Sequence, residues 1–313
     1  MYIHAVSHYL PTEVVSNEHF TKLNGLSSDW IIERTGIEER RKAAPNENTN
    51  TMTVEVVRQL QEKTDLSTVD LIVGATYTPY DTIVSLAHEA QHELGIADIP
   101  VVSVSTACSS LLNAIEVVEG YFALNKASRA LVIVSEHNTA YNNDEDTVSG
   151  HLWGDGAAAM LITKERQADG DFTILGLLTG GAAHTPKGTT GVMMKPNEGG
   201  VSMPHGRDVF INACQYMPKA SLQILERCGL TLEDVDYVLP HQANLRISRN
   251  VMNTLGLPEE KLISNIQKLG NTGCAGCGIA LSEQWDIFQR GQRIVITVFG
   301  GGYSFGAMVI EKS

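Results

Sequence analysis

The sequence contains no run approaching the roughly 18 apolar residues that a bilayer-spanning helix requires, so no membrane segment is expected. It also lacks an excess of positive charge. Its 23 Lys and Arg stand against 36 Asp and Glu, a formal charge of −13, which argues against a nucleic-acid-coating protein because that task needs a basic face. Cysteine is sparse and odd in number. Five cysteines, with neither a basic nor a long apolar segment in Met1-Tyr2-Ile3-His4-Ala5-Val6-Ser7-His8, read as reduced thiols and predict a cytoplasmic setting. What remains is an acidic globular chain of 313 residues, 43% hydrophobic. That length suits one large domain or two of about 150 residues.

Three stretches recur along the chain. Thr68–Val73 echoes Asp234–Leu239 at an offset of 166, and Arg129–Val134 echoes Arg293–Val298 at 164, each reading as a short buried strand. Gly154–Ile162 resembles Gly302–Ile310 at an offset of 148, a glycine-rich turn leading into a strand. Apolar spacing predicts helices over 52–63, 85–94, 108–124, 209–228, 243–255 and 275–290. Alternation of the two element types indicates an α/β protein of two similar halves, 1–168 and 169–313, joined near the charged stretch Lys164–Asp171.

Cys108 is expected where the β-branched run 101–104, read as a core strand, turns into a helix. A thiol there is expected to be acidified by the helix dipole and free amides, making it a candidate nucleophile. His241 ends the strand-like Tyr237-Val238-Leu239-Pro240, at the edge where α/β sheets bind ligands. A lone histidine in such a place is more often structural. Asn271, in the turn Leu269-Gly270-Asn271-Thr272-Gly273, reads by itself as a turn residue or helix cap. Cys274 and Cys277 form a CxxC with no second pair at metal-site spacing, so small-residue packing is expected and no metal site. Asp155, hemmed by glycines, is expected to hold backbone amides.

Taken together, the Cys108, His241 and Asn271 segments, Gly154-Asp155-Gly156-Ala157 and Phe299-Gly300-Gly301-Gly302 resemble the β-ketoacyl-acyl carrier protein synthase III family of thiolase-fold condensing enzymes. The likeness spans nearly the whole chain and includes Trp30-Ile31-Ile32-Glu33-Arg34-Thr35-Gly36-Ile37 and His241-Gln242-Ala243-Asn244-Leu245-Arg246-Ile247. It implies a thiolase-like five-layer αβαβα fold, a homodimer, and an acyltransferase of fatty acid biosynthesis that needs no cofactor. Its substrates would be an acyl-CoA and malonyl-acyl carrier protein, with a secondary-metabolite ketosynthase taking a longer or β-keto acyl group as the alternative. Cys108 would carry the acyl group, and His241 and Asn271 would donate to the enolate of the decarboxylated malonyl group. The backbone amides of Cys108 and of Gly301 or Gly302 would form the oxyanion hole.

By the same resemblance, Trp30 and Arg34 meet the CoA nucleotide, and Leu152, Met203, Gly206, Phe210, Ala243 and Asn244 line the pantetheine channel or its mouth. Ile83, Leu111 and Phe299 would bound the acyl pocket, with Ile83 reaching across the dimer. Arg246 and Arg249, one helical turn apart, would offer a basic patch to an acidic carrier protein, although a solvated helix face gives the same pattern. The sequence departs from the family pattern at Ser109-Ser110-Leu111, which predicts an altered acyl pocket. The segment Gly273-Cys274-Ala275-Gly276-Cys277-Gly278 is richer in glycine and cysteine than usual, which predicts looser packing.

Overall fold

A computed structural model describes all of residues 1–313. The main sheet system has nine strands: β1 (Tyr2–Tyr9), β2 (Leu71–Ala75), β3 (Val101–Val104), β4 (Arg129–His137), β5 (Asp155–Thr163), β6 (Phe172–Gly181), β7 (Tyr237–Pro240), β8 (Arg293–Gly300) and β9 (Ser304–Lys312). Their spatial order is β7-β8-β9-β6-β1-β5-β4-β2-β3. At one place the ladder is thin. β1 and β6 share only the pairs Tyr2 with Thr173 and Ile3 with Phe172, which divides the strands into two blocks.

The two blocks have the same plan. In the first, β2 runs parallel to both β3 and β4, while β5 runs antiparallel to β4 and to β1. In the second, β7 runs parallel to β8, and β9 is antiparallel to β8 and to β6. A bridge from Leu262 to Val238 occupies the position outside β7 that β3 occupies outside β2. The sequence echoes therefore fall on β2 with β7, β4 with β8, and β5 with β9.

Six helices complete the layers: α1 (Thr49–Gln61), α2 (Leu86–Leu94), α3 (Ser110–Ala123), α4 (Gly206–Arg227), α5 (Leu245–Leu255) and α6 (Gly276–Glu283). α1 and α2 cover one face of the first block, and α4 and α5 cover the opposite outer face of the second. α3 and α6 fill the layer between. α3 touches β4 and β2 on one side and β6 and β9 on the other, and its Leu111, Leu112, Ile115, Val118 and Phe122 form the centre of the largest apolar cluster. Burial on both sides explains why α3 reads as apolar over most of its surface.

Three expectations are corrected. β3 is an edge strand, with Val101 and Val102 half-buried and Ser103 exposed, because four β-branched and small residues mark a half-covered edge as readily as a core strand. The helix expected to run to 290 ends at Glu283. Trp285 and Phe288 keep helical spacing, yet their rings turn onto Phe172 at 4.8 and 5.6 Å. The glycines after Asn271 mark tight packing: a Cβ on Gly278 would lie 2.7 Å from the Ala158 Cβ, so α6 lies directly on β5.

Candidate active site

Cys108 sits in a tight turn between β3 and α3. Ala107 adopts φ of +50°, in the left-handed region that a residue with a Cβ rarely enters. Ser109 and Ser110 hold this turn closed, with their hydroxyls donating to Thr106 O at 2.8 Å and Ala107 O at 2.6 Å. Both serines are fully buried, and Leu111 is 1% exposed in the central core. The departures at 109–111 thus shape the turn under the thiol, and Leu111 does not bound the acyl cavity as expected. Facing Cys108 is the end of β8. A Cβ on Gly300 would lie 2.6 Å from the Cys108 nitrogen, so only glycine permits this approach.

His241 follows β7 directly, and its N–H donates to Thr297 O on β8 at 2.8 Å. Asn271 is pinned by its backbone, whose N–H donates to Leu152 O at 2.8 Å and whose carbonyl accepts from Gly154 N at 3.0 Å. Its side-chain Oδ1 accepts from Gly273 N–H at 3.0 Å, which orients the amide and leaves the Nδ2 hydrogens without a protein partner. Cys108, His241 and Asn271 line one cavity of about 840 Å³. Met203, Ala243, Phe299, Gly301 and Gly302 also lie in its wall.

The electrostatics differ from the sequence-based expectation. Burial, reinforced by the nearby Glu136 carboxylate, pushes the Cys108 thiol up to about 12. The Tyr77 hydroxyl and the Gly301 and Cys108 amides favour the thiolate, but they offset this in part only. In the free protein Cys108 is a neutral thiol, since a dry site disfavours charge more than three donors favour it. Burial lowers His241 to about 4, so its imidazole is neutral at ordinary pH.

Residues 102–180 match the family profile described as 3-oxoacyl-[acyl-carrier-protein (ACP)] synthase III, and residues 225–312 match the profile of its C-terminal part. A β-ketoacyl-[acyl-carrier-protein] synthase III of Nitratidesulfovibrio vulgaris is 32% identical, with 97% of this chain and 96% of that protein covered. The chain belongs to the β-ketoacyl-acyl carrier protein synthase III family. It is therefore an acyltransferase of the condensing type with a thiolase-like α/β fold. The crystal structure of the 3-oxoacyl-[acyl-carrier-protein] synthase III from Aquifex aeolicus superposes with a TM-score of 0.92 at 32% identity, covering 99% of both chains. The priming β-ketosynthase of the R1128 polyketide pathway gives 0.89 at 27% identity, covering 99% of this chain and 95% of that one.

The remaining positions suggested by likeness to synthase III proteins fall into groups. Trp30 and Arg34 lie outside the cavity wall on a short helix, with the Arg34 guanidinium 5.5 Å from the Trp30 ring centre and the His151 ring 5.5 Å away on edge. Asn244 ties this helix to α5: its Nδ2 donates to Arg34 O at 3.1 Å while its Oδ1 caps α5 through Arg246 N at 2.9 Å. Its contacts are structural. Leu152 packs in a cluster against which Met203 rests, and Gly206 opens α4 beside Met203. Phe210 lies under the Arg246 guanidinium at 5.8 Å, outside the wall. Arg249 pairs with Glu259 at 2.8 Å, which leaves Arg246 as the less committed cation of the expected patch. Ile83 is 83% exposed and does not line the cavity, although its neighbours Asp81, Thr82 and Ser85 do.

Two residues near Cys108 escaped the sequence reading. Glu136, fully buried at the end of β4, accepts from Cys274 Sγ at 2.8 Å, Thr76 Oγ1 at 3.0 Å and the Thr78 hydroxyl, and burial pushes it up to about 7. Tyr77 lines the cavity. Neither belongs to a motif, and an acid closing a strand or a tyrosine in a loop carries no signal by itself. Asp155 holds amides as expected, accepting from Ala43 N at 2.8 Å and Thr139 N at 3.0 Å, from the first position of β5. No three His, Cys, Asp or Glu side chains converge on a metal-sized site, and no helix is long and apolar enough to cross a membrane.

Proposed function

We propose that this synthase III takes an acyl group from an acyl-CoA onto Cys108 and condenses it with the carbanion formed when malonyl-acyl carrier protein loses carbon dioxide, starting a fatty acid chain. The observation that carries this reading is the meeting of Cys108, His241 and Asn271 on one cavity backed by the Gly300–Gly302 turn. In the first step the Cys108 sulfur bonds to the acyl carbon, the CoA thiolate leaves, and the thiol proton passes to that thiolate. One thioester replaces another, so the acyl group stays activated. The Gly301 and Cys108 amides lie beside the sulfur, where an oxyanion would develop. In the second step carbon dioxide departs and leaves an enolate oxygen, which accepts from His241 Nε2–H and Asn271 Nδ2. Burial keeps this imidazole neutral, and its Nε2–H donates in that form. The carbanion then displaces the Cys108 sulfur from the acyl carbon. None of these steps calls for a metal or redox cofactor.

The same reading makes Trp30 and Arg34 the contact for the CoA nucleotide and Arg246 a contact for an acidic carrier. The shared plan of the two strand blocks supports a duplication across residues 1–168 and 169–313. The exposed edge β3, together with the exposed Tyr80, Ile83 and Val84, supports a homodimer paired along that edge, and the five unpaired cysteines support a cytoplasmic setting.

Mass spectrometry of the intact protein after acyl-CoA treatment tests the assignment. Cys108→Ala is expected to take no acyl group, whereas His241→Ala and Asn271→Ala take one but lose malonyl decarboxylation by about 100- to 1000-fold. Equal loss of acylation in all three overturns this division of labour. A Cys-His-Asn hydrolase would instead release free acid continuously from acyl-CoA alone. The likeness to a polyketide priming enzyme favours a second reading, a specialised ketosynthase with a longer or β-keto acyl group. Failure to form any β-ketoacyl product from acetyl-CoA or other short acyl-CoA would select it.

A further inference from the structure

Tyr77 lies two residues beyond β2, in the wall of the cavity that holds Cys108 and Asn271. Its hydroxyl donates to Asn138 Oδ1 at 2.6 Å and stands beside the Cys108 sulfur. The ring is seated by Gly273, where a Cβ would lie 2.5 Å from the tyrosine oxygen and 2.8 Å from Cε1. Gly273 has φ of +59° and donates to Asn271, so the seat of Tyr77 is also the support of an active-site amide. Asn138 is a fixed acceptor. It is fully buried, and its Nδ2 donates to Gly154 O at 2.8 Å.

Tyr77 thus has one proton and two acceptors within reach. A neutral thiol is a weak acceptor, so the hydroxyl rests on Asn138. A thiolate accepts a charge-assisted bond that is roughly twice as strong as a neutral one. A thioester sulfur is again a weak acceptor. On the reading that Cys108 is the acyl-carrying nucleophile, we propose that Tyr77 is a further catalytic residue, whose hydroxyl turns from Asn138 to the Cys108 sulfur when the thiol proton leaves and returns once the sulfur is acylated. No bond of Tyr77 breaks in this cycle, since rotation about its C–O bond suffices. The thiol proton goes to the departing CoA thiolate.

The surroundings give this turn a purpose. The charged or titratable groups about the sulfur are Glu136 from β4, Cys274 and Cys277 from the segment opening α6, His241 from the second block, and Tyr77 itself. Glu136 opposes a thiolate, and the remaining favourable contacts are the Gly301 and Cys108 amides. The phenol of Tyr77 is held well above its usual range by burial, so it stays a donor.

The test is the rate of Cys108 alkylation by iodoacetamide between about pH 7 and 9, followed by mass spectrometry, in the wild type, Tyr77→Phe and Asn138→Leu. Tyr77→Phe removes a single oxygen and is expected to lower the rate about tenfold at each pH, the equivalent of about one unit of thiol acidity. Asn138→Leu frees the hydroxyl for the sulfur and is expected to raise the rate. A tyrosine that only fills space would change neither. An unchanged rate in Tyr77→Phe, or a slower rate in both variants, overturns the proposal. Acylation of the wild-type Cys108 by acyl-CoA is scored in the same samples, so failure of the nucleophile assignment is distinguished from failure of the Tyr77 assignment.

Discussion

Burial decides the protonation states of the groups lining the cavity. His241, lowered from 6.5 to about 4, stays neutral far into the acid range. An Nε2–H donor survives protonation, so malonyl decarboxylation is expected to persist at about pH 5.5, with any change from charging of His241 appearing only as the pH nears 4. An acid limb near 6.5 in the pH–rate profile would contradict this. Glu136 behaves in the opposite sense. Its carboxyl is raised from 4.5 to about 7, so the unfolded chain releases this proton first and stability from this group is lost as pH climbs through that interval. Glu136→Gln keeps the size of the side chain and cannot ionise. The melting temperature of the variant relative to wild type is expected to rise between about pH 4.5 and 7, and a constant difference would show that Glu136 does not titrate there.

Turns and helix starts, rather than whole strands, separate what could be read from the sequence from what could not. Apolar periodicity located α1 and α3, because a helix with a buried face repeats its pattern over several turns. The placement of Cys108, His241 and Asn271 at strand ends and glycine turns was legible in composition, whereas the role proposed for them together came only from the resemblance to the synthase III family. The acyl-pocket role expected of Leu111 was not, since chain order cannot tell which face of α3 meets the cavity. With Leu111 in the central core, Leu111→Ala is expected to cost about 2–5 kcal/mol by denaturant unfolding while leaving acyl-length preference unchanged. Tyr77 and Glu136 stayed hidden for a related reason. They reach the site through contacts with Gly273 and Cys274, about 140 to 200 residues later in the chain, and single-sequence pattern carries no record of such pairing.

For the whole molecule, the exposed edge β3 is continuous with the turn that bears Cys108. Light scattering is expected to give twice the 34.0 kDa chain mass, and Ile83→Asp to shift the population toward monomer on dilution. A wild-type monomer at all concentrations would remove the dimer from the account. The likeness between the two strand blocks was foreshadowed by strand starts recurring at offsets of 166 and 164, with the third at 148, whereas the thin β1–β6 seam depends on two residue pairs and leaves no pattern. The contact between Gly300 and Cys108 joins the halves at the thiol itself. The turn that bears Cys108 is itself held from the second block, where Ser304 Oγ donates to Thr106 O at 2.8 Å, so a correctly walled sulfur requires both blocks in place. In a refolding time course acylation is therefore expected to reappear with the final tertiary signal, later than helix content.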